Sequence, residues 1–157
     1  MPACAFFGNT KDKDITIDTL DAIADLFEYL IVKKGVRVFY STAKTDFDSA
    51  CEGVIGILKK EHPDIELIKI AEKNDKKQRD DPAYDHIINF ENNNYRKRYI
   101  YTSRLVEYIL IDTVVASGPR DTLFSDILFT NRHRIDDVNI ITLKWVMRKR
   151  EEYYKPE

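Results

Sequence analysis

Glycine is scarce in this chain: 157 residues hold only five. Loops that cradle a pyrophosphate need closely spaced glycines for tight turns and close backbone approach, so a P-loop and a dinucleotide-binding fingerprint are both excluded. Cysteine is scarcer still, at two residues. Cys4 lies in an apolar run and Cys51 in a helical pattern, and neither has a partner at ligand spacing. A disulfide scaffold and a zinc ribbon are thereby excluded, and both cysteines read as small buried hydrophobes in a reducing compartment.

No charge of one sign dominates, with 25 Lys and Arg against 27 Asp and Glu, a formal charge of -2 and a pI near 6.0. A surface built to neutralise nucleic-acid phosphates is not expected from that balance. The two local basic clusters, Arg96 to Arg98 with Arg104, and Lys144 with Arg148 to Arg150, read as solvated helix faces. No apolar run reaches the roughly 18–20 residues of a membrane span, and the first residues lack the charged-then-apolar order of a cleaved signal. A cytoplasmic protein with no membrane partner is the expectation.

Catalytic signatures are also missing. There is no Gly-x-Ser-x-Gly elbow and no Cys-x-x-Cys, and His62, His86 and His133 stand apart with no ligand four residues on within a helix. No metal site and no cofactor are expected from these spacings.

What is present is an alternation of apolar patterns. Ala3 to Phe7 is continuously apolar and stops at Gly8, as in a strand buried on both faces. Leu20, Ile23, Ala24, Phe27, Leu30 and Ile31 recur at three and four, and Gly35 closes the segment. Val36 to Tyr40 reads as a strand, Phe47 to Leu58 as a helix stopped by His62 and Pro63, and Ile65 to Ile70 as a third strand. This β-α-β-α-β order with short connections implies a parallel sheet.

Residues 72–94 turn polar and read as a surface loop or excursion with an apolar island at Ile87, Ile88 and Phe90. Tyr95 to about Leu110 reads as helix, Thr113 to Ala116 as a fourth strand, Leu123 to Leu128 as a helix, Val138 to Thr142 as a fifth strand, and Trp145 to Tyr154 as a charged helix or tail. The fold expected is an α/β, Rossmann-like three-layer domain over residues 1–143, with a mainly parallel sheet of about five strands, followed by a charged segment at 144–157.

Ligands of such sheets bind beyond the carboxyl ends of the strands. Three loops meet that description: Gly8, Asn9 and Thr10; Ser41 to Asp46; and Ser117, Gly118, Pro119, Arg120, Asp121 and Thr122. Their hydroxyls, amides, Lys44 and Arg120 suit a polar or phosphorylated small molecule held at helix N-termini. Thr45 with Asp48 also fits a capping box, and Ser49 with Glu52 fits the same pattern one register later. Asp46 and Asp48 flank Phe47 and are the candidates for acid or base work, with a solvated cap as the plainer reading.

With these residues in view, the chain resembles the SLOG superfamily, and within it the small YpsA-like bacterial proteins. The resemblance runs from Cys4 to about Leu143. It rests on Cys4 to Gly8, Gly35, Phe39-Tyr40, Phe47-Asp48, Lys59 to Pro63, Ile65 to Ile70, Tyr84-Asp85, and Arg104 leading to Val114-Val115. The chain departs from the family at Asn9, Thr42, Thr45, Leu105 and the turn of Pro119 to Asp121, so most loop glycines are replaced.

The resemblance implies binding of a nucleotide-derived ligand with little catalysis, and a homodimer. It adds Arg104 to a ligand-binding set of Gly8, Asn9, Thr10, Ser41, Thr42, Thr45, Asp48, Ser117, Gly118, Arg120 and Thr122. One branch of the superfamily hydrolyses a nucleotide N-glycosidic bond through a Pro-Gly-Gly-x-Gly-Thr loop that is not found here, so a hydrolase is the second reading. A third is an interaction protein acting through the segment Tyr95 to Tyr101 or the C-terminal helix.

Overall fold

The computed structural model describes residues 2–72, 83–91, 94–112, 122–134 and 136–153, with backbone alone at 95, 122–124 and 153. Six strands form one sheet: β1 (Ala3–Phe7), β2 (Val38–Ser41), β3 (Glu66–Ala71), β4 (His86–Asn89), β5 (Tyr108–Ile111) and β6 (Asn139–Thr142). Their spatial order is β4-β3-β2-β1-β5-β6, and every neighbouring pair is parallel. The first four strands step outward in one direction and β5 returns to the far side of β1, so the winding reverses between β1 and β5.

Alternation along β1 shows how the layers form. Cys4 and Phe6 face a core shared with α1 (Ile17–Lys34), α2 (Asp46–Glu61) and α5 (Leu143–Tyr153). Ala3, Ala5 and Phe7 face a second core with α3 (Tyr95–Ser103) and α4 (Thr122–Thr130). A strand read on both sides has no polar face to offer, which is why its sequence is apolar throughout.

Local chemistry sets the helix ends. Thr16 caps α1 by accepting from the Thr19 amide at 3.1 Å. Gly35, at φ 72°, takes the left-handed turn that ends it, and Val36 N donates to Leu30 O at 3.0 Å. Asn94 caps α3 by accepting from Lys97 N at 3.3 Å.

The sheet corrects three expectations. It has six strands rather than about five, because the island at residues 86–89 pairs with β3 as an edge strand. The strand beside β1 is Tyr108–Ile111, inside the stretch read as helix to Leu110, and α3 ends at Ser103. Thr102 Oγ1 donates to Arg98 O and Ser103 Oγ to Ile100 O, both at 2.8 Å, offering the backbone alternatives to further helix. The expected strand at 113–116 lies outside the described residues. The C-terminal segment is helix, and Leu143 and Val146 join the core beside α1 while Arg150 reaches Asp25 at 3.0 Å and Asp21 at 3.7 Å. Among the described residues, no helix is long and apolar enough to cross a membrane.

Candidate functional site at the strand carboxyl ends

The reversal between β1 and β5 opens at the carboxyl edge of the sheet, where a doubly wound fold has its crevice. Gly8 forms the floor. A Cβ there would lie 2.4 Å from Asp112 Cβ and 2.5 Å from Phe47 Cδ1, so only glycine lets these three segments close together. Thr10, beyond the exposed Asn9, turns inward and donates both its amide, at 2.7 Å, and its hydroxyl to Asp112 Oδ2. Asp112 N extends the β1–β5 ladder by donating to Phe7 O at 2.9 Å. Asp112 is therefore a residue of this edge, absent from the sequence-derived set.

The second loop is organised around Asp48. Its Oδ2 accepts from Lys44 N at 2.9 Å, Thr45 N at 3.2 Å and Thr42 Oγ1 at 3.3 Å, while Thr45 Oγ1 accepts from Asp48 N at 3.1 Å. Thr45 and Asp48 thus form the full capping box of α2. Burial pushes the Asp48 carboxyl up to about 6, against the lowering effect of the Lys44 and Thr45 amides. Oδ1 is closed off from solvent and has no hydrogen-bond partner among the described residues. The Lys44 and Thr45 amides at this helix start are therefore already bound to the protein's own carboxylate.

Asp46, the other carboxylate candidate, is exposed and accepts from Asp12 N at 2.9 Å, tying the short 3-10 turn Asp12–Asp14 to the mouth of α2. Ser41 Oγ donates to Glu52 Oε2 at 2.6 Å and accepts from Ala43 N at 3.0 Å. That bond holds Ala43 in the left-handed region, at φ 51°. Tyr84 OH donates to the other oxygen of Glu52 at 2.7 Å. Glu52 thus serves the rim rather than a second capping box with Ser49.

Positive charge enters from two sides. Lys44 Nζ and Arg98 Nη1 each lie 3.2 Å from Glu72 Oε1, just past the end of β3. The hydrogen bond from Lys44, reinforced by Arg98, holds the Glu72 carboxyl below the ordinary range. Arg98 is 1% exposed, although it comes from a segment read as a solvated basic face.

The remaining expected residues divide. Arg104 follows α3 and precedes β5, at the amino edge of the sheet, where its carbonyl accepts from Arg134 Nη1 at 2.9 Å. It is therefore removed from the strand-end set. Thr122 begins α4, without a described side chain. Ser117, Gly118, Arg120 and Asp121 lie outside the described residues. In the Tyr95 to Tyr101 segment, Arg96 and Tyr99 bind Asp126 of α4, at 2.8 and 3.0 Å. Those side chains join two helices rather than facing out together.

No family model and no curated protein matches the chain. Among solved structures it is similar to the X-ray structure of TM1055, a structural genomics target, with 9% identity and a TM-score of 0.55 over 97% of this chain and 99% of that one. At that identity the likeness speaks for the architecture alone: this chain has a Rossmann-like α/β fold.

Proposed function

We propose that the protein binds a nucleotide-derived or otherwise phosphorylated small molecule at the carboxyl ends of β1, β2, β3 and β5, with little or no catalysis. The observation that carries this reading is where polar groups are buried. Of the eleven buried polar or charged residues among those described, Thr10, Ser41, Thr42, Asp48, Arg98 and Asp112 gather at this one edge. Polar groups are costly to desolvate, and their concentration at the carboxyl edge of a doubly wound sheet supports a binding site there.

Within this reading, Asn9 and Asp112 take ligand hydroxyls, and Lys44 and Arg98 supply the cationic side toward which a phosphate is drawn. The Lys44 and Thr45 amides have no part in it, since Asp48 occupies them. The SLOG resemblance supports the same class of ligand. Melting the protein with a panel of nucleoside mono- and diphosphates and sugar phosphates tests the proposal. A true ligand at ~100 times its Kd stabilises by about 2.7 kcal/mol, and Lys44→Glu should abolish the shift. A panel in which no member moves the transition would sink it.

One observation favours a second reading, N-glycosidic hydrolysis: burial pushes the Asp48 carboxyl up to about 6, and a carboxyl so raised can act as a general acid near neutrality. This reading requires the buried carboxyl to reach substrate. It calls for release of free base from a nucleoside monophosphate, lost in Asp48→Asn.

A further inference from the structure

At the opposite edge of the sheet, where α1 lies against the end of α2, three metal-ligating groups converge from two helices. Glu28 comes from α1, Glu61 is the last residue of α2, and His62 follows as its C-cap. One carboxylate oxygen of each glutamate and one imidazole nitrogen of His62 all lie within 4.8 Å of one another. We propose that this trio is a binding site for a divalent transition ion of the zinc class.

Two independent features point to a cation. The first is the pair of carboxylates: Glu28 and Glu61 approach each other with no lysine or arginine ion-paired to either among the described residues. Lys59, in the same turn of α2, is engaged by Asp85 instead. Like charges held together repel, and a cation between them reverses the sign of that interaction. The second is the imidazole. His62 Nε2 is closed off from solvent and has no hydrogen-bond partner among the described residues, although a buried ring nitrogen ordinarily finds one.

The donor set selects the class of ion. One nitrogen and two carboxylate oxygens suit zinc and its neighbours, whereas calcium and magnesium call for six or more oxygens. A tetrahedral ion with bonds of about 2.0–2.2 Å holds its ligands about 3.3–3.6 Å apart, so the trio needs only to tighten. The movement falls to the two exposed glutamate side chains, because the backbone of His62 is anchored: its amide donates to Leu58 O at 2.9 Å and its carbonyl accepts from Ile65 N at 3.2 Å. Three protein ligands leave the fourth position to water.

Spacing along the chain could not show this site, since Glu28 and His62 meet only through the packing of α1 on α2. The bound ion would clip α1 to the turn leading into β3, away from the strand carboxyl ends, so it stands or falls independently of the proposed ligand.

The test uses the full chain stripped with a chelator, then titrated with zinc chloride by calorimetry and thermal melting. One equivalent should bind and raise the Tm. Glu28→Gln and Glu61→Gln should each weaken binding tenfold or more while leaving the metal-free Tm unchanged or slightly raised, since each removes one of two repelling charges. Cobalt(II) in place of zinc should show visible d–d bands without a thiolate charge-transfer band, which separates this site from Cys4 and Cys51. Absence of saturable one-equivalent binding, undiminished affinity in the double variant, or a thiolate band would overturn the assignment.

Discussion

Thr10 donates its amide and its hydroxyl to the same oxygen of Asp112, across the point where the sheet reverses its winding. The pair joins the loop after β1 to the end of β5, and both residues are buried. Asp112→Ala would strand two enclosed donors, each costing about 1–3 kcal/mol when left unsatisfied. The expected result is a loss of about 2–4 kcal/mol in urea denaturation, with Asp112→Asn losing less because its carbonyl still accepts. A loss below about 0.5 kcal/mol would mean that water replaces the carboxylate.

Glycine positions separate crowding from propensity. Alanine at Gly8 would press on Asp112 and on the Phe47 ring, and overpacking of this kind costs about 1–3 kcal/mol. At Gly53 and Gly56, inside α2, an added Cβ meets nothing within 4 Å. Alanine at either should stabilise by about 0.5–1 kcal/mol through helix propensity alone. Denaturation midpoints should move in opposite directions for Gly8→Ala and Gly53→Ala.

The elements that sequence pattern revealed are those whose apolar spacing is unambiguous. β1 is apolar at every position because both faces are covered, and α1 ends where Gly35 permits the left-handed turn. β4 was legible only as an island because it is an edge strand of four residues, with Ile87 and Ile88 partly exposed and no alternation to read. β5 was hidden for the opposite reason. Ile100, Leu105, Val106, Ile109 and Leu110 sustain a helix-like spacing through it, while the β-branched Val114 and Val115 drew the expected strand to 113–116, five residues downstream.

That shift in register also concealed Asp112. A strand ending at Ile111 places Asp112 at the carboxyl edge, whereas a strand at 113–116 places it before the strand begins. Arg104 entered the strand-end set through the SLOG resemblance, and the structure places it after α3, at the amino edge. The capping box of Thr45 and Asp48 was legible because it is local, three residues apart. The bonds of Glu52 to Ser41 and Tyr84, and of Arg98 to Glu72, span distant segments, and no local pattern announces them.

Neither cysteine should react in the native state. Cys4 and Cys51 are free and fully buried, and burial pushes both thiols far above the ordinary range, so the nucleophilic thiolate is suppressed. A maleimide or disulfide reagent should label no cysteine in native buffer and both in denaturant. Labelling of Cys51 without unfolding would show that the packing between α2 and β1 opens locally.

Asp48 gives the fold a pH dependence of unusual sign for a carboxylate. Its folded value near 6 stands above the unfolded value of about 3.9, so the folded chain retains a proton that the unfolded chain has lost. The group's contribution is fully present below about pH 4 and is lost as pH rises through about 6. Between about pH 5 and about pH 7.5 it should remove on the order of 1 kcal/mol of stability. Glu72 and Asp126, held low by Lys44 and by Arg96, act oppositely, but their stabilisation is lost only at more acid pH. Asp48→Asn keeps an oxygen for the Lys44 and Thr45 amides and carries no charge, so its urea midpoint should lack this part of the dependence. An unchanged fall in the variant would place the titrating group elsewhere.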